Sequence, residues 1–381
     1  MKASSFRNLN SIFGFLFVVQ VSAQTGADIL WVTNAHFNDI TSVSFAADSL
    51  RLASGATDRH AKVWLLPSGN LLRDVSSPNQ WVLSTAMSSN GTLLATGGEE
   101  GKVRVWRVND GGIEWQLPTL NNNLTYATAF SPDGTRFADS RSQDIAVVRH
   151  ASNGAFALWV QHNNTVSSVA FSPDSALLAS GGSDQVARIT RLADTNILHT
   201  LTGHAAGVIS VDFSPDGSLL LTGAGDGTSR LWNVSNGACV RVIEGAGGQA
   251  KFSANGKLFF TLEAGVFQLW RVASGAHITS ITNSGAVTFD VSKNGKYLAY
   301  GREEDYAVVL ARTPLVIDEF TRTGNETVLH WQGGSGLYQL QSNTNFTTTG
   351  WQNFGPATTN TLATNVSAST LFFRVQSLPN P

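Results

Sequence analysis

A residue pattern returns along this chain about every 42 positions. Its clearest copy runs Gly203-His204, then Val208-Ile209-Ser210-Val211-Asp212-Phe213, a Ser214-Pro215-Asp216-Gly217 turn, Leu221-Thr222-Gly223, Asp226-Gly227 and Arg230-Leu231-Trp232. Aligned on that final Trp, the copies fall at Trp64, Trp106, Arg149, Thr190, Trp232, Trp270 and Leu310, with spacings of 42, 43, 41, 42, 38 and 40. A fixed period of this length means repeated supersecondary units, each unable to bury its own faces without neighbours. Seven copies therefore predict one closed or stacked array.

Within a copy the apolar residues alternate, as Val43 and Phe45, Val169 and Phe171, or Val211 and Phe213 do, which is the period of a strand with one face inward. The segments Ser131-Pro132-Asp133-Gly134, Ser172-Pro173-Asp174-Ser175 and Ser214-Pro215-Asp216-Gly217 read as tight turns, with Pro presetting φ and Asp or Gly suited to the later turn positions. The runs Leu177-Leu178-Ala179 and Leu219-Leu220-Leu221 read as fully buried strands. Composition agrees: only 14% of residues are charged, while Gly (36) and Trp (10) are frequent, which suits short strands and turns rather than helices.

These copies closely resemble the WD40 repeat. The resemblance implies an all-β fold, a seven-bladed WD40-type β-propeller acting as a binding or assembly scaffold. The last copy ends near Arg312, one strand short of a blade. The unassigned run Ile29-Leu30-Trp31-Val32 is then expected to complete the seventh blade beside Val308-Val309-Leu310, removing an exposed edge. Trimming residues 29–32 should open the ring.

The resemblance also implies a hydrogen-bonded set in each complete blade: His36, Ser54, Asp58 and Trp64; His204, Thr222, Asp226 and Trp232; and His162, Ser180 and Asp184, with Thr190 replacing the Trp. The same groups make a nucleophile and its base. A nucleophile is needed once, whereas this set recurs in several blades, so its role is read as structural and no catalytic residue is expected. Blades two, three, six and seven depart from the pattern. Glu100 and Glu304 stand where Asp is expected, Gln143 takes that place in blade three, Arg149 replaces its Trp, and blade six is one residue shorter. Packing alone is expected to hold these four, with blade three the weakest. An enzyme would need a non-repeating polar cluster. The candidate, Arg141, Asp144, Arg149 and His150, should be scattered over both sides of its sheet by strand alternation.

By the same resemblance, partners meet the top of the ring. The turn positions there are Thr57, Glu99, Ser142, Ser183, Gly225 and Glu303; the loop positions include Asp39, Trp81, Leu124, Thr165 and Gly207. Trp81 is either an exposed hot-spot aromatic or packing on Gln80 or the next blade. Glu99, Glu100, Glu303, Glu304 and Asp305 give two blades an acidic rim.

The ends of the chain read differently. Lys2 and Arg7, the apolar run Ile12 to Val21 and Val21-Ser22-Ala23 form a secretory signal peptide over residues 1–23, with cleavage before Gln24 and a secreted, periplasmic or extracellular product. The apolar run is too short to span a bilayer. The net charge of −2 becomes −4 once residues 1–23 and their two cations are removed, which argues against nucleic acid. Residues 24–313 are assigned to the propeller. Residues 314–381 break the period. Their short runs, and the string VLHWQGGSGLYQLQSNTNF, resemble fibronectin-III-like tail modules of secreted bacterial proteins and predict a small β-sandwich. Its aromatics Trp331, Tyr338 and Trp351 would be either core or a glycan-binding surface. The single cysteine, Cys239, forms no internal disulfide and is expected to be a small buried hydrophobe. Histidine spacing gives no metal motif and no phosphate loop opens a helix, so no metal or cofactor is expected. A monomer with protein partners is the reading.

Overall fold

The computed structural model describes residues 29–77, 80–99, 101–118, 124–282 and 285–313, together with the backbone of six further strands between Val316 and Ser377. Residues 1–23 lie outside them. The chain divides into two compact units, one of them Ile29–Ala311. No helix occurs among the described residues.

The larger unit is a seven-bladed propeller. Each blade is a four-stranded antiparallel meander, with strands a to d running outward, over residues 40–76, 82–116, 128–161, 166–201, 208–244 and 249–282 for blades 1 to 6. Blade 7 has Ala286–Val291, Tyr297–Arg302 and Ala307–Arg312 from one end of the unit and Ile29–Asn34 from the other. That closing strand pairs Trp31 with Leu310, Val32 with Val309 and Thr33 with Val308. Successive a strands are neighbours around the ring, and that of blade 7 meets that of blade 1 (Ile40–Phe45).

The b strands are buried along almost their whole length, because a blade has a neighbour on both faces. Small residues at one position set the blade spacing. A Cβ on Gly55, Gly97, Gly181 or Gly301 would come within 2.4–2.6 Å of Val82, Thr125, Val208 or Ile40 of the next blade. The d strands have only an inner neighbour, so their alternate side chains face solvent. This corrects the expectation for Cys239: it begins the d strand of blade 5 and is exposed.

Side chains of the a strands bridge blades. Ser42 accepts from the Thr85 amide (3.0 Å), Ser168 from Val211 (3.2 Å), Ser210 from Ala250 (2.8 Å) and Asp212 from Phe252 (2.8 Å). Gln249 both donates to the Phe289 carbonyl (3.2 Å) and accepts from its amide (3.0 Å). Among the described residues the a strands make no such bridge from blade 2 to 3 or from 3 to 4, where Ala86 and Ala129 hold the position of Asp212. The 3–4 boundary is bridged at its turn. Ser175 takes the left-handed φ (60°) that Gly134 and Gly217 occupy in the same turn (71° and 73°), a conformation that costs an L-residue about 1 kcal/mol. Its hydroxyl accepts from the Asp133 amide at 3.1 Å.

The C-terminal strands form two three-stranded antiparallel sheets. One joins Val316–Thr323, Glu326–Gln332 and Thr361–Asn365; the other joins Gln352–Asn353, Tyr338–Asn343 and Phe372–Ser377. The side chains of Trp331 and Tyr338, and all of Trp351, lie outside the described residues.

Candidate functional site

In blade 1 the loop before strand a carries His36, strand b Ser54, the next turn Asp58 and strand c Trp64. His36 places Nδ1 2.9 Å from Asp58 and Nε2 2.9 Å from Ser54, whose oxygen also accepts the Trp64 indole N–H at 3.0 Å. Blade 5 repeats this with His204, Asp226 (3.0 Å), Thr222 (2.7 Å) and Trp232 (2.9 Å). Blade 4 joins His162 to Asp184 (3.1 Å) and Ser180 (2.8 Å), while Thr190 stands in place of the Trp and its buried hydroxyl has no partner.

A carboxylate only accepts, so in blades 1 and 5 the partners assign the imidazole proton to Nδ1 and leave Nε2 as the acceptor of the Ser or Thr O–H; in blade 4 Arg188, which only donates, also lies 2.6 Å from His162 Nδ1. In blades 1 and 5 the hydroxyl hydrogen points at His and its oxygen is taken by the indole. Ser54, Ser180 and Thr222 are fully buried. A hydroxyl so placed is a linker, not a nucleophile. Burial pushes Asp58 and Asp226 upward, but it is outweighed by hydrogen bonds from the histidines and from amides (Phe37 and His60; Ala205 and Thr228), which together hold both carboxyls at about 2. Burial lowers His162 and His204 against the pull of Asp184 and Asp226, keeping the rings neutral.

Three of the four departing blades differ from the packing-only expectation. Trp106 still donates to Thr96 (3.0 Å) in blade 2, and Trp270 to Thr261 (3.1 Å) in blade 6. A buried indole N–H needs an acceptor whether or not the His and Asp remain. Blade 3 replaces Ser, Thr and Trp with ions: buried Asp139 accepts from Arg141 (2.7 Å) and Arg149 (2.9 Å). The two arginines therefore do not scatter. Arg149 pairs with Phe137, two residues before Asp139, and so shares its face. His150 is exposed and outside this group. Blade 7 has Tyr300 and Leu310 in these places, both buried, with Tyr300 5.3 Å from the Phe267 ring.

At the top of the ring the sequence-derived positions meet in pairs. The Thr57 amide donates to the Asp39 carbonyl (2.9 Å), Ser142 to Leu124 (3.0 Å), Ser183 to Thr165 (2.8 Å) and Gly225 to Gly207 (3.0 Å). Glu303 donates to Gly285 (2.7 Å) in the same way. Trp81 is 44% exposed, whereas its neighbour Gln80 is buried and donates to the Lys102 carbonyl at 3.0 Å. Glu99, Ser183, Gly225 and Glu303 are exposed; Asp39, Thr57, Leu124, Ser142 and Thr165 are half-buried. Glu100 lies outside the described residues.

The motif reading missed several top-face residues. Phe37 (87% exposed), Tyr126, Ile209, Val287 and Tyr306 all project there. Ile209 and Val287 occupy the second position of their a strands, where the pairing register shifts and a bulge turns the side chain outward. Periodicity alone would bury them. At the opposite end the Ser-x-Asp-Gly-like turns expose Leu50, and further exposed large apolar residues, Phe156 and Trp159 among them, lie on the outer d strands.

Comparison with known proteins fits this architecture. The family model "WD domain, G-beta repeat" matches residues 28–64, 69–107, 156–190 and 195–233. Each match holds the d strand of one blade and strands a to c of the next, the phase that lets Ile29–Asn34 close blade 7. The unmatched blades are 3, 6 and 7, all of which lack the His and Asp. Rat apoptotic protease-activating factor 1 is 32% identical over 78 residues, 20% of this chain and 6% of that protein. The small ribosomal subunit protein RACK1y of Oryza sativa subsp. japonica is 28% identical over 100 residues, 26% of this chain and 29% of its own. Subunit I of eukaryotic translation initiation factor 3 from Aspergillus fumigatus is 38% identical over 105 residues, 27% of this chain and 30% of its own. The chain thus spans between 6% and 30% of the length of these relatives. Repeat pattern, blade geometry and family match together show that this chain carries WD40 repeats within an all-β, seven-bladed propeller.

Proposed function

We propose that this chain is an exported, non-catalytic scaffold that binds protein partners through the top of its propeller. One observation carries the reading. The groups that resemble catalytic machinery are buried and bonded to one another, while the top loops and strand starts expose Phe37, Trp81, Tyr126, Ile209, Val287 and Tyr306; the other exposed apolar side chains, Leu50 apart, are spread along the outer d strands. An enzyme needs the reverse arrangement, with reactive groups open to solvent and apolar ones beneath. WD40 propellers commonly serve as protein-interaction scaffolds, and two of the relatives named above are subunits of larger assemblies. The tail is assigned a spacer or attachment role, and residues 1–23 an export role.

The test is capture from the native secreted fraction by residues 24–381 and by the Trp81→Ala variant. A specific protein retained by the first and lost with the second, at equal thermal stability, supports the reading; equal retention overturns the assignment of the top face. Amino-terminal sequencing of the exported protein should begin at Gln24, and an intact Met1 in the exterior fraction overturns the export reading.

A further inference from the structure

We infer that the top face takes a basic, apolar-anchored peptide segment, a proposal that rests on the scaffold reading and gives its partner a chemistry. The apolar part of the site surrounds the channel mouth: Trp81, Tyr126, Ile209 and Val287 are each 40–45% exposed. Strand bulges turn Ile209 and Val287 outward on hydrogen-bonded inner strands, so they are presented with little ordering cost. Ile209 leans over blade 5: its Cδ1 lies 3.8 Å from where a Cβ on Gly225 would stand.

Charge then selects the occupant. Asp39, Glu99, Asp144, Glu303 and Glu304 lie in top loops and Glu263 at the end of its b strand, and none is in an ion pair among the described residues. Against them the same end carries Arg59, Lys102 and Arg230, whose guanidinium reaches the Gly203 loop, while Arg141, Arg188 and Arg302 are bound to Asp139, Asp184 and Asp305. The carboxylates sit close to the apolar ring. Glu263 reaches within 2.9 Å of the Cβ position of Gly247, and the side chain of Glu304 within 3.2 Å of that of Gly285, two residues from Val287. Between Ile209 and Glu263 lie exposed Gly225 and half-buried Gly227, with buried Gly247 beside them, so a strand of another protein could approach the backbone there with few side chains in the way. An acidic partner would meet like charge from several blades; a neutral apolar one would leave the acidic rim unused. A segment with Lys or Arg flanking Leu-type anchors satisfies both parts, and the ring's negative field raises its encounter rate.

The experiment uses residues 24–381 and three fluorescently labelled decapeptides: alternating Lys and Leu, alternating Glu and Leu, and Lys with Ser in place of Leu. Anisotropy titrations should show saturable binding of the Lys–Leu peptide only. Affinity should drop about tenfold or more in Glu303→Lys/Glu304→Lys and in Ile209→Ser, and be unchanged in Leu50→Ser on the opposite face. These positions are exposed, so thermal melts should match the parent. Absence of binding by the Lys–Leu peptide overturns the inference. Equal binding of the Lys–Ser peptide with no effect of Ile209→Ser overturns it in favour of unspecific attraction. Binding of the Glu–Leu peptide instead, lost in Trp81→Ala, overturns the basic partner while leaving the scaffold reading intact.

Discussion

The Asp290 carboxylate in blade 7 accepts the Phe45 amide of blade 1 at 2.8 Å, across 245 positions of sequence. It is the closing member of the inter-blade series that Asp212 and Phe252 represent between blades 5 and 6, and it works beside the closing strand Ile29–Asn34. Replacing Asp290 with Ala leaves a buried amide unpaired and is expected to cost about 1–3 kcal/mol in urea denaturation. Deleting residues 29–34 should do more: it uncovers the Ala307–Arg312 edge, so the product should associate in light scattering. A deletion variant that stays monomeric and equally stable would show that closure contributes nothing.

Thr222 serves two partners, His204 and Trp232, whereas Thr261 serves Trp270 alone at that position. Thr222→Val and Thr261→Val remove the same hydroxyl from equally buried sites. The first should destabilise more, by about 1–3 kcal/mol against about 1 for the second. Paired chemical denaturation curves decide the order.

Among the described residues Asp139 is the sole acid paired with Arg141 and Arg149, with no side-chain exposure of its own. Asp139→Ala strands two guanidinium groups and should cost about 3–5 kcal/mol, the loss typical of one half of a buried ion pair. Thermal unfolding of this variant should fall below that of Asp290→Ala.

The histidine networks predict a two-step acid response. Burial depresses His162 and His204 from 6.5, so below that pH the unfolded chain takes up protons that the folded chain refuses, and stability falls as the pH drops. Asp58 and Asp226 stay ionised down to about 2 in the fold but protonate near 3.8 when unfolded, so a second loss spans that interval. Urea midpoints followed from neutral to acid pH should decline across both windows, and Asp226→Asn should flatten the lower one.

The seven copies, the closing strand and the His–Ser/Thr–Asp–Trp sets were legible because each is a local pattern repeated at fixed spacing, and repetition separates signal from chance. Glycine in the turns and alternation in the a strands spoke through backbone preference alone. The compensation in blade 3 was not legible. Asp139 stands where five other blades have Ser or Thr, and only pairing of strands b and c shows that Arg149 reaches it. Cys239 misled for a related reason: a strand-like neighbourhood does not reveal whether the strand has neighbours on both sides.

By itself the sequence determined the class, the number of blades and the polar sets, since these depend on periodicity and on donor–acceptor chemistry within one repeat. Tertiary structure decided which side chains bridge adjacent blades and which are turned outward by bulges, as Ile209 and Val287 are. It also decided that the acidic loops ring an apolar mouth. Those relations join residues about 40 or more positions apart, and they exist only once blades are packed and the ring is closed.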